Sequence, residues 1–134
     1  MAKTWSEKFY NGKQPFVEVL EKRYADMQIG DKMLVANPEI IDEYIRQIPN
    51  GKQISIKTMR KDIALEYGAD NMCPLTTGIF LRIIAEKAHE EYMQGKQKIT
   101  PFWRVIDLKL PMVKKLTFDK VFISLKRKTE KIIT

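Results

Sequence analysis

The stretch from Pro74 to Gly95 constrains the fold most, because its pattern fits one long helix. Pro74 suits the first turn, running to about Gln94, and Gly95 supplies the stop. The helical spacing points Ile79, Phe80, Ile83, Ile84 and Ala88 inward. Two shorter helices are predicted before it. Asn37-Pro38-Glu39 combines a capping side chain, a first-turn proline and an acid at the positive helix end. Ile40, Ile41, Tyr44, Ile45 and Ile48 form the buried face, and Pro49-Asn50-Gly51 ends it. Ser55 caps the next, where Ile56, Met59, Ile63, Ala64 and Tyr67 alternate with Lys57, Arg60 and Lys61 up to Gly68. Two helices joined by a short turn, the second long, read as a helix-turn-helix.

The flanks complete the expected architecture. Phe16, Val17, Leu20, Tyr24 and Met27 predict a helix from Pro15 to about Met27, after a turn at Asn11-Gly12. Trp5 and Tyr10 are expected to dock on the core. Lys32–Ala36 reads as a short strand or an extended entry segment. Residues 103–116 are expected to form a strand and short wing around Leu110-Pro111. Thr117 and Asp119 start a last amphipathic helix carrying Val121, Phe122 and Leu125. The predicted fold class is mainly α with a small β wing, a winged helix-turn-helix. Residues 1–37 form an extension with one helix, packed on a domain over 38–134.

Charge narrows the partner. The chain has 134 residues, one domain's worth, with a net charge of +7. Residues 107–134 hold eight Lys and Arg against three Asp and Glu. An anionic partner follows, nucleic acid before a membrane surface. One cysteine, Cys73, allows no internal disulfide, and one Cys with one His makes zinc improbable. No apolar run of signal-peptide or bilayer length occurs, so a cytoplasmic setting is expected, with no metal and no cofactor.

The run Ile48-Pro49-Asn50-Gly51-Lys52, then Ser55, then the two helices, then Thr100-Pro101-Phe102-Trp103-Arg104-Val105-Ile106 resembles the C-terminal domain of the methylated-DNA–cysteine methyltransferases. Those proteins carry an I-P-x-G stretch, a helix-turn-helix and a P-C-H-R-V motif with the alkyl-acceptor cysteine. The resemblance covers roughly residues 38–130. It is more similar to the alkyltransferase-like DNA repair proteins, which consist of the DNA-binding domain alone. Within that superfamily it most resembles a branch with C-P-[IL]-T-T-G-I-F and T-P-[YF]-W-R, here Cys73–Phe80 and Thr100–Arg104.

The departures from the family pattern bear on chemistry. Phe102 stands at the acceptor cysteine and has no nucleophilic atom, so methyl transfer to it is excluded. Trp103 replaces the histidine that helps form the thiolate. Gly78 falls where the family places the arginine that fills a flipped nucleotide's space, and Arg82, one turn on, is a candidate substitute. Ile56 replaces the family's tyrosine. The resemblance therefore implies a DNA-binding fold without the enzyme.

Pro101, Phe102, Trp103 and Arg104 are the base-pocket candidates. Phe102 and Trp103 either plug the parent family's base cavity as core residues or stack on an unpaired or damaged base. Arg104 is expected to serve structure. Thr76 and Thr77 either contact DNA at the recognition-helix start or merely cap it, and Gly78 permits a close approach. Lys52, Lys57, Arg60, Lys61, Arg82, Lys114, Lys115 and the Lys126-Arg127-Lys128 run are candidates for phosphate contact. Cys73 reads as a small, partly buried residue and His89 as a solvated one. The alternative partner is a protein, if an apolar patch replaces the positive face.

Overall fold

The computed structural model describes residues 3–132. In chain order come α1 (Trp5–Phe9), β1 (Phe16–Val19), β2 (Lys32–Val35), α2 (Pro38–Arg46), α3 (Ile56–Glu66), β3 (Asn71–Met72), α4 (Pro74–Met93) and α5 (Val121–Thr129). Two 3-10 turns, Phe102–Arg104 and Pro111–Lys115, lie between α4 and α5. The chain is thus helix-rich with a small three-stranded sheet. No helix among the described residues is long and apolar enough to cross a membrane.

The predicted caps form. Asn37 Oδ1 accepts from the Ile40 amide at 3.0 Å, and Ser55 Oγ accepts from the Thr58 amide at 3.1 Å. These bonds satisfy amides that a helix start leaves without partners. Pro74 opens α4 as expected, and Gly95, at φ +97°, takes the left-handed conformation beyond its end.

α4 is the central element. Its stripe of Leu81, Ile84, Ala85 and Ala88 is buried among residues from α1, α2 and the segments after it. Ile41, Ile45, Met59 and Ile63 come from α2 and α3, while Phe102, Ile106, Val113 and Ile123 close the far side. Phe9, Leu34 and Ala36 belong to the same cluster, so the first 37 residues build part of one core.

Three expectations need correction. Residues 15–27 are not a helix: β1 pairs antiparallel with β2, Phe16 opposite Val35 and Val19 opposite Lys32. Phe16, Val17 and Val19 are aromatic and β-branched, which suits a strand, and a five-residue apolar spacing cannot separate the two. After the strand the chain turns back through a Tyr24–Met27 bridge, with only Met27 of the expected helical face fully buried.

The second correction is the wing. No strand forms over 103–116, where Pro111 instead opens a 3-10 turn. The sheet lies elsewhere, in the order β1-β2-β3, with β2 parallel to β3. β3 sits inside the seven-residue connection Tyr67–Cys73 between α3 and α4. That link is therefore longer than the three or four residues of an ordinary helix-turn-helix. Third, Ile79, Tyr67, Val121, Leu125 and Tyr10 are exposed. The periodic pattern marks apolar positions and not what lies opposite them.

Candidate nucleic-acid interface

The first turns of α4 place Leu75, Gly78, Ile79 and Arg82 on one face, at the spacing that brings helical neighbours together. Trp5 and Lys8 of α1 stand opposite, and Pro111, Met112 and Lys115 form a third side. Together they enclose a groove of about 540 Å³. Its floor is apolar. Its charged groups are Lys8, Arg82 and Lys115, and no carboxylate lines it among the described residues. Lys8 Nζ lies 4.3 Å from the centre of the Trp5 ring and the Arg82 guanidinium carbon 5.3 Å from it, so two cations contact one aromatic ring.

The structure thus brings Gly78, Arg82 and Lys115 together from the predicted set. It adds Trp5 and Lys8 as groove residues. α1 is not among the predicted helices, although its start is signalled: Thr4 and Glu7 form a reciprocal capping box, with Thr4 Oγ1 accepting from the Glu7 amide and the Glu7 carboxylate accepting from the Thr4 amide. The T-W-S-E run carries that signal in the sequence.

Gly78 is not demanded by packing. A Cβ built there meets nothing within 4 Å. Gly78→Ala should stabilise the protein by about 0.5–1 kcal/mol through helix propensity alone. Thermal melting checks this, and a lower Tm would show that the bare backbone is needed.

The threonines point back into the protein. Thr77 is buried and its hydroxyl donates to the Cys73 carbonyl at 2.6 Å. Thr76 is half-buried and approaches the same carbonyl at 3.5 Å. Neither threonine caps the helix: its N-cap is Cys73, no side chain makes a cap bond there, and both hydroxyls bond back to the Cys73 carbonyl. Cys73 itself is buried.

Arg60 leaves the phosphate-contact set. It is 6% exposed, its two terminal nitrogens donate to the Asp26 carboxylate at 3.0 and 2.9 Å, and its Nε donates to the Met72 carbonyl. The Arg60 hydrogen bonds hold the Asp26 carboxyl below its ordinary range. Lys52, Lys57 and Lys61 are exposed but do not line the groove, and Lys114 is exposed beside Lys115. The Lys126-Arg127-Lys128 run divides: Lys126 lies over the Tyr92 and Trp103 rings, Arg127 is buried and Lys128 is exposed.

The proposed base pocket is closed. Phe102 is fully buried, Pro101 and Trp103 are buried, and Phe102 packs edge-on to Trp103 and stacked with Phe122. These residues are core, and no ring face is left for a base. Arg104 is structural, as expected. Its Nε and Nη2 donate to the Glu130 carboxylate at 2.9 and 2.8 Å and its Nη1 donates to the Ile48 carbonyl.

His89 is not a solvated surface residue. It is half-buried, stacked on Phe118 at 4.1 Å between ring centres and edge-on to Phe122. Burial pulls its pKa below the usual value, against the opposing charge of Glu86. The sequence hid this because its aromatic partners lie some thirty positions downstream.

Compared with family models, with curated proteins and with solved structures, the chain has no match.

Proposed function

We propose that the chain is a non-catalytic, sequence-nonspecific duplex-DNA-binding protein of the alkyltransferase-like kind. In this reading α3, β3 and α4 serve as an extended helix-turn-helix, and the Pro111–Lys115 turn takes the wing's place in a winged-helix arrangement. The observation that carries it is the trio Lys8, Arg82 and Lys115 around the start of α4, unopposed by any carboxylate lining the groove among the described residues. Cations so placed meet phosphates and orient a helix on a duplex. Nonspecific contact fits the inward-turned threonine hydroxyls, which leave few groups to read base edges. With Phe102 at the acceptor position, a labelled methyl group is expected to stay on the DNA.

The test is fluorescence anisotropy with one plain duplex and one carrying a methylated guanine, at two salt concentrations. Equal, salt-sensitive binding is expected. A Lys8→Glu, Lys115→Glu double variant should weaken it more than about tenfold and lower the salt slope by roughly two. Tighter binding to the modified duplex would restore base sensing, at a place other than the buried Phe102–Trp103 pair. No binding at low salt overturns the reading.

A second reading has its own observation. Leu75 and Ile79 are 63% and 50% exposed in the groove floor, which suits an apolar side chain from a protein partner. That reading keeps the fold and drops DNA, and failure of the titration at low salt would favour it.

A further inference from the structure

A second cavity, of about 730 Å³, lies apart from the groove, and no residue lines both. It is defined by how the arginines are paired. Arg60 and Arg104 each meet a carboxylate through two hydrogen bonds. Arg127 is more deeply buried than Arg60, at 2% exposure against 6%, yet no carboxylate pairs with it among the described residues. Its Nη1 donates to the Trp103 carbonyl and its Nη2 to Gln53 Oε1, each at 2.7 Å, and both acceptors are neutral. Its Nε has no acceptor among the described residues. A guanidinium taken from water and given only neutral acceptors is costly, and an anion is the partner that lowers the cost.

The cavity that Arg127 helps to line supplies the rest. Lys109 and Lys128 add two more cations, Ser124 adds a hydroxyl, and Leu108 and Ile132 give an apolar wall. Asp107 is the one acid lining it among the described residues, and it acts on Arg127 without an ion-pair contact. The lining charge is therefore close to plus two, which a phosphate dianion matches and a carboxylate does not. The volume falls in the range of small-molecule sites.

We propose that this cavity binds a phosphate monoester with a small apolar body. The dianion lies on the Arg127 side, between Lys109 and Lys128 and within reach of Ser124, and the apolar body rests against Leu108 and Ile132. Charge-assisted hydrogen bonds set the affinity for the phosphate, and burial of the body selects a monoester over the free ion. The site does not depend on the DNA reading.

Phenyl phosphate is the probe, with inorganic phosphate and phenol as its two halves, followed by calorimetry and by amide shifts of Leu108, Ser124 and Ile132. Saturable binding is expected, roughly tenfold tighter than inorganic phosphate. Lys109→Gln with Lys128→Gln should weaken it by roughly tenfold or more. Lys8→Glu with Lys115→Glu should leave it unchanged. The rim variants carry the test because an Arg127 variant loses core hydrogen bonds and is at risk of misfolding. Absence of saturable shifts, or equal binding by the rim variant, overturns the proposal. Displacement of phenyl phosphate by duplex DNA would assign the cavity to the nucleic-acid backbone and overturn it equally.

Discussion

Phe102→Ala is expected to lower the unfolding free energy by about 3–5 kcal/mol, the range for emptying a buried aromatic site. Phe102 is fully buried, with the Trp103, Phe118 and Phe122 ring centres 5.3, 5.9 and 5.9 Å from its own. None of these rings can follow the missing benzyl group without leaving its own packing, so a cavity remains. Urea denaturation measures the loss. The same variant separates the two meanings of the Phe102–Trp103 pair: a base-stacking residue would cost little stability and much DNA affinity. A change below about 1 kcal/mol would contradict the core assignment.

Arg104→Met is expected to cost about 3 kcal/mol or more, because it strands a charge. The Glu130 side chain is 8% exposed and receives both Arg104 hydrogen bonds along with one from the Gly51 amide. Burial pushes the Glu130 carboxyl up, but Arg104 and the Gly51 amide outweigh it, so the folded-state pKa lies below the usual 4.5. A depressed carboxylate pKa contributes stability at neutral pH, and that contribution is lost as pH falls below about 4.5 and through the folded value. Glu130→Gln should therefore flatten the acid limb of the stability curve. Adding Glu130→Gln to Arg104→Met should recover part of the loss, since no unpaired charge is left. Chemical denaturation from pH 3 to 7 checks both, and an unchanged acid limb in Glu130→Gln would refute the pairing.

Helices α2, α3 and α4 were the legible part of the fold. Asn37, Ser55, Pro74 and Gly95 act locally, through bonds and dihedral preferences that need only neighbouring residues. What the sequence concealed depends on distant partners. The 15–27 segment satisfies a helical spacing, but β2 provides a strand to pair with, and local pattern does not weigh that option. Arg60 looks like a surface cation on α3 until Asp26, 34 residues earlier, is folded over it. Ile79 reads as inward on periodicity, whereas its face of α4 opens onto the groove beside Arg82. For the candidate site, Gly78, Arg82 and Lys115 were identifiable in advance as residue types suited to DNA. Their meeting with Trp5 and Lys8 required the packing of α1 on α4.

The small sheet has an effect on how the molecule is made. β2 and β3 join Met33 and Leu34 to Asn71 and Met72, and the Asp70 carboxylate accepts from the Lys32 amide across 38 positions of chain. Everything between, including α2 and α3, must fold back before these strands touch. The entropy of closing that loop is spent before the ladder returns anything. The ladder is therefore a late clasp in folding, and it holds the start of α4 in place by seating Cys73, whose amide donates to the Leu34 carbonyl at 2.9 Å. The groove at that helix start is in this way an emergent product of complete folding, absent from any fragment that lacks residues 32–35.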